Sequence, residues 1–175
     1  LIEINSELPL IKLTDLQSQS LVPRLSFRFN PGDMKNHSIT ERKINMDNIF
    51  NINRLGINDS FESGNSVTIG IEYKKENKKN RDNYLEFNLA SVFRDGNENN
   101  IPSQTTLNNK NSNLFGSINY SVSEFMNLDY DFAIDNKIEN FDYNTIGLNL
   151  SLNNFVTTFN FIEENSIIGN TNIFE

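Results

Sequence analysis

Apolar side chains in this chain recur at every second position, in segment after segment, and the helical period of 3.6 hardly appears. A period of two is the signature of a pleated strand with one apolar and one polar face. Leu25, Phe27 and Phe29 alternate with Arg24, Ser26 and Arg28. Val67, Ile69, Ile71 and Tyr73 oppose Thr68, Gly70, Glu72 and Lys74. Leu85, Phe87, Leu89 and Phe93 oppose Glu86, Asn88 and Arg94. Leu114, Ile118, Tyr120 and Val122 oppose Phe115, Ser117, Asn119 and Ser121. Leu128, Tyr130, Phe132 and Ile134 oppose Asp129, Asp131, Ala133 and Asp135. Ile146, Leu148, Leu150 and Leu152 continue the pattern, and Phe155, Phe159 and Phe161 share a parity after them. Weaker candidates are Ile2 to Ile11, Asn48 to Arg54 and Ile168 to Phe174. The expectation is an all-β chain of roughly nine or ten antiparallel strands, many near the ~9–11 residues that cross a bilayer when tilted.

The connections carry a second signal. Ser123-Glu124-Phe125 and Asn153-Asn154 are tight. Asn30 to Asn45, Lys74 to Asn83 and Arg94 to Ser112 read as long polar loops. Tight turns at one end and long loops at the other are typical of an outer-membrane barrel, although the alternation read this way is imperfect. Nothing in composition divides the 175 residues, so the expectation is one segment. The start at Leu1 and the end at Glu175 inside apparent strand suggest a barrel segment cut at both ends.

Two architectures satisfy the alternation. In a soluble sandwich the apolar face packs inward and the polar face meets water. In a membrane barrel the apolar face meets lipid and the polar face lines a wet lumen. The barrel reading makes Val67, Ile69, Ile71, Leu128, Tyr130, Phe132 and Ile134 lipid-facing, and Glu72, Glu86, Asn88, Asn119, Asp129, Asp131 and Asp135 lumen-facing. It also places Tyr73, Tyr84, Phe93, Tyr120, Phe125, Phe141, Tyr143 and Phe155 near strand ends, as interfacial girdles require.

The chemistry that the chain excludes is informative. A net charge of -8 argues against a sequence-independent nucleic-acid partner, which needs a basic surface. There is no cysteine, and the one histidine, His37, lies in a polar stretch as a solvated residue. Asp129, Asp131 and Asp135 on one strand face could hold a hard cation, but they lack a cation-binding loop and read better as a hydrated polar face; no metal or cofactor is expected. Lys74, Lys75, Lys78, Lys79 and Arg81 read as a solvated basic hairpin loop able to meet phosphate. No nucleophile elbow, phosphate loop, dinucleotide fingerprint or triad occurs, and the chain does not read as an enzyme.

Two stretches resemble a known family. "PRLSFRFNPGD" (Pro23 to Asp33) and "NIFNINRLGINDSFESGNSVTIGIEY" (Asn48 to Tyr73) are similar to the barrel of the LPS-assembly outer-membrane proteins, LptD, also called organic solvent tolerance proteins. The matching positions are Pro23, Arg24, Asn53, Arg54, Leu55, Gly56, Asp59, Gly64 and Gly70. "LASVFRD" (Leu89 to Asp95), Pro102 and "GSINYSVSEFMNLDYDF" (Gly116 to Phe132) follow in the family's order. Ser60 departs from it, since the family often has Arg there. The resemblance implies the central part of a large up-and-down barrel in the outer membrane of a Gram-negative bacterium. It implies lipopolysaccharide as cargo, a lipoprotein plugging the lumen, periplasmic bridge proteins reached through a domain outside this chain, and membrane lipid around the wall. The residues by themselves leave open another outer-membrane channel or receptor barrel, or a soluble β-sandwich used for binding.

Overall fold

The structure is a computed structural model that describes residues 1–166 and 169–174. Its strands are β1 (Ile2–Glu7), β2 (Leu10–Leu13), β3 (Gln17–Asn30), β4 (Gly64–Asn77), β5 (Tyr84–Arg94), β6 (Leu114–Ser123), β7 (Met126–Ile134), β8 (Phe141–Leu152), β9 (Phe155–Ser166) and β10 (Gly169–Phe174). They make one 10-stranded antiparallel sheet whose neighbours follow the chain order, so the topology is up-and-down. β1 and β2 both pair with β3, as one edge strand interrupted at Leu8 and Pro9, where proline has no N–H to give to the ladder. β10 is the last strand on the path, and the sheet does not close on itself. The single sheet removes the sandwich reading, which needs a second layer behind the apolar face.

The two longest connections lie at one end of the sheet. That end carries 31–63, 95–113 and 135–140; the other carries 14–16, 78–83, 124–125 and 153–154. The connection after β4 is shorter than Lys74 to Asn83, because β4 runs on to Asn77 and takes Lys74 and Lys75 into the strand. Sequence reading missed this because two lysines and a glutamate look like loop. Asn48 to Arg54 is a chain of turns and no strand, despite its alternating Ile49 and Phe50 pattern. Of the expected strand Ile168 to Phe174, Ile168 lies outside the described residues and the rest is β10.

Register fixes which residues share a face. Glu72, Asn88, Ser117 and Asp131 stand directly across β4 to β7, and Glu86, Asn119 and Asp129 form the next row. Ile71, Leu89, Gly116 and Phe132 occupy a row on the opposite face. The two long connections, 31–63 and 95–113, fold over the polar-parity face. We call this the covered face, and the other the open face. The hydrophobic cluster of the chain lies under those connections: Met34, Ile44, Ile49, Leu55, Ile57, Ile101 and Leu107 meet Ala90, Val92, Phe115, Ala133 and Tyr143 of the strands. The open face keeps its large apolar side chains uncovered, with Leu25, Phe27, Phe29, Ile69 and Phe93 all exposed. This inverts the arrangement of a water-soluble sheet.

Candidate functional site: a polar face locked under its own loops

The covered face is organised around one carboxylate. Glu62, 4 % exposed, lies at the end of connection 31–63. It accepts hydrogen bonds from Arg28 of β3 at 3.0 Å, from Arg54 at 2.7 and 2.5 Å, and from Arg94 of β5. Burial alone would push the Glu62 carboxyl up, but the Arg54, Arg28 and Arg94 guanidiniums outweigh it and hold it at about 2. The arginines make further bonds, although the buried Arg94 Nε–H is left without a partner. Arg54 donates to Thr68 Oγ1 at 2.9 Å and Ser66 Oγ at 3.1 Å. Arg28 donates to the Asn51 carbonyl at 2.6 Å and to Glu3 of β1 at 2.5 Å. Arg94 donates to the Ser63 carbonyl. The knot therefore ties β1, β3, β4 and β5 to the covering segment with buried charge-assisted bonds.

Most residues of the family motif turn out to belong to this attachment. Arg54 is inside the knot. Leu55 sits in the apolar cluster. Asn53 Nδ2 donates to the Ile57 carbonyl at 2.9 Å, and its own carbonyl accepts the Gly56 N–H at 3.0 Å, which shapes the turn. Gly64 has φ +81°, and an added Cβ would stand 3.0 Å from Arg94 Nη2, so the bend into β4 and the approach of Arg94 both need glycine. At Gly70 a Cβ would lie 2.6 Å from the Phe50 ring; the missing side chain is the seat on which Phe50 docks. Arg24 packs over that ring at 4.2 Å and pairs with Glu7 at 3.0 Å and with Glu72. Pro23, opposite Ile71, is on the open face. Asp59 lies at the exposed rim, paired with Lys35 at 2.9 Å and beside His37 at 3.1 Å; the Lys35 bond holds its carboxyl below the usual range. Ser60 accepts the Lys35 N–H at 3.0 Å.

Below the locked region the covered face opens into a pocket of about 370 Å³ lined by Glu72, Glu86, Asn88, Asn119, Asp129 and Asp131, with Asp47 above them. Six of the polar residues expected on one face are thus brought together. Asp135 is not among them. It lies past the end of β7 and accepts the Lys137 and Glu139 N–H groups at 3.1 and 2.9 Å, which makes it the organiser of the β7–β8 turn. The Glu139 N–H, then the Asn140 side chain, holds it below the ordinary carboxylate range. No cluster suited to a metal ion occurs among the described residues.

On the open face stand Val67, Ile69, Ile71, Leu128, Tyr130 and Phe132, with the Tyr130 and Phe132 rings stacked at 5.4 Å. Ile134 shares their parity but is 8 % exposed, where the register shifts opposite Phe141. Of the expected girdle, Tyr84 and Tyr143 are on the covered face: Lys74 lies over the Tyr84 ring, and Tyr143 donates its hydroxyl to the Ile44 carbonyl at 2.9 Å.

Sequence reading missed Glu62, Arg28, Arg94 and Phe50 as members of the site. A signal was present. Ala90, Val92, Phe115, Ala133 and Tyr143 put apolar side chains on the otherwise polar parity, which marks where that face is covered by protein rather than water. Among comparisons with known proteins, the family model for LptD, LPS transport system D, matches residues 2–172. A search of curated proteins finds no match.

Proposed function

The chain belongs to the LptD family, LPS transport system D, and from that premise we propose that it forms part of the wall of the outer-membrane barrel that delivers lipopolysaccharide to the outer leaflet. One observation supports the wall role most directly: the open face of β1 to β9 leaves most of its apolar side chains uncovered, while the chain's own loops cover the part of the polar face nearest the long connections. A face of Leu, Ile, Phe and Tyr is stable in hydrocarbon and unstable in water. On this reading Val67, Ile69, Ile71, Leu128, Tyr130, Phe132 and Ile134 belong to the lipid side. Glu72, Glu86, Asn88, Asn119, Asp129 and Asp131 belong to the lumen.

The mechanism this wall supports is passive and physical. The strands satisfy their backbone groups laterally, so they can stand in lipid. The locked segment 31–63 fills the lumen side of β3 to β5 and keeps it from being an open pore. The acidic rows beneath it keep the remaining lumen wet and hold negative charge against the wall. Lipopolysaccharide is the cargo of the family, and the lumen is further filled by its lipoprotein partner. The segment's place in the middle of a larger barrel is part of the same proposal.

The deciding experiment is depletion of the intact gene product in its own bacterium, with lipopolysaccharide measured at the cell surface. A fall in surface lipopolysaccharide with accumulation behind the outer membrane is the expected result. Unchanged surface levels would overturn the transport role and leave a different outer-membrane channel.

A further inference from the structure

The open face carries very few charges. Across β1 to β9 its strand positions hold Lys12, Lys75 and Glu163 and otherwise apolar or uncharged polar residues. The two cations are not scattered. Lys12 stands opposite Gln19, and Gln19 stands opposite Lys75, so the three form one continuous row across β2, β3 and β4. Directly opposed side chains are separated by roughly 5 Å at Cβ, which puts an amide donor between two ammonium groups. Among the described residues neither lysine has an ion-pair partner, whereas Lys35, Lys43 and Lys74 each have one.

The row has a definite height on the wall. It is next to the short-turn end, and the adjacent open-face row is Leu10, Leu21, Tyr73 and Phe87. Two grooves of about 310 and 510 Å³ flank it, the first lined by Lys12, Gln19 and Tyr73, the second by Lys75, Gln17 and Tyr120, with the Glu76 carboxylate at its edge. Apolar wall on one side, tyrosines at the boundary and unpaired amines just beyond them is the layering of a membrane border.

We propose that Lys12, Gln19 and Lys75 form a binding site for the phosphate of an anionic phospholipid in the leaflet level with the short turns. Charge complementarity selects this occupant: two uncompensated ammonium groups and an amide N–H match a phosphodiester, and the apolar rows above match its acyl chains. The inference rests on the barrel reading. In outer-membrane barrels the short turns are periplasmic, so the lipid is one of the inner leaflet.

The test uses the full-length protein, purified in detergent and titrated with phosphatidylglycerol, phosphatidylcholine or inorganic phosphate, with bound species counted by native mass spectrometry. Three forms are compared: wild type, K12Q/K75Q, and the turn control K78Q/K79Q. The expected result is retained phosphatidylglycerol on wild type and on the turn control, and an affinity about thirtyfold weaker for K12Q/K75Q. Equal retention by K12Q/K75Q and wild type overturns the site. An equal loss in the turn control also overturns it, in favour of diffuse charge, and equal binding of inorganic phosphate overturns the lipid as occupant. Heat-modifiable mobility and insertion into phosphatidylcholine vesicles are measured on the same samples. Failure of the wild type to insert overturns the barrel reading itself, a different result from insertion with unchanged lipid selectivity.

Discussion

At the scale of single residues, Glu62 is the position on which the covered face depends. Removing its charge leaves three buried guanidiniums without their shared anion, and breaking a buried pair in this way costs about 3–5 kcal/mol. Glu62→Gln is therefore expected to release segment 31–63, read as rapid protease cleavage within it while the barrel remains heat-modifiable. Wild-type resistance to cleavage would contradict the knot. Because the folded carboxyl is depressed to about 2 from 4.5, its contribution is complete above the unfolded value and is lost as pH falls from there towards about 2. Protection of the segment should accordingly hold at neutral pH and fade only in strong acid, with no change between mildly acidic and neutral buffers. Gly70 makes a complementary case. Gly70→Val drives a side chain into the Phe50 ring, with an expected loss of about 1–3 kcal/mol in unfolding experiments, and Phe50→Ala in the same chain should recover part of it. Full additivity of the two changes would show that the ring does not dock there.

At the scale of elements, the two faces make opposite demands on the same strand. Phe132→Arg places a charge on the open face of β7 and is expected to cost about 2–4 kcal/mol in lipid, whereas Asp131→Asn, its neighbour on the covered face, should change stability little. Equal costs for the two, measured by denaturant titration in vesicles, would mean that β7 does not separate lipid from water. The strands were legible because a period of two survives any register: Leu128 to Ile134 and Val67 to Tyr73 could be nothing else. What escaped was everything set by contacts between distant residues. Asn48 to Arg54 alternates like a strand, yet its Ile49 and Phe50 are apolar because they press on the sheet. Lys74 and Lys75 look like loop because the hydrogen-bond ladder that holds them in β4 is invisible without β5. The motif residues Arg54 and Gly70 were found by their pattern, but their partners Glu62 and Phe50 lie 8 and 20 positions away, and no local rule links them.

At the scale of the whole molecule, the chain has surfaces that a free protein in water cannot tolerate together. The sheet ends at an edge made by β1 and β2 and at another made by β10, and a broad apolar face lies between them. Unpaired edges and exposed apolar area both drive association. Expressed by itself in aqueous buffer, the 175-residue chain is expected to aggregate and to be recovered in folded form only with detergent or lipid. A soluble monomer with one cooperative unfolding transition would contradict the assignment of the open face.

The knot around Glu62 also carries information about time. Its members arrive in order along the chain: Arg28 at the end of β3, then Arg54 and Glu62, and Arg94 only at the end of β5. When β3 and the segment after it are in place, the carboxylate can gather two of its guanidiniums; the third comes only after β4 and β5 have paired. On the proposed reading, in which the covered face lines a lumen and the wall grows in chain order, the covering segment is tethered by Arg28 and Arg54 first and fastened by Arg94 last. A wall halted before β5 would then keep a loosely held cover.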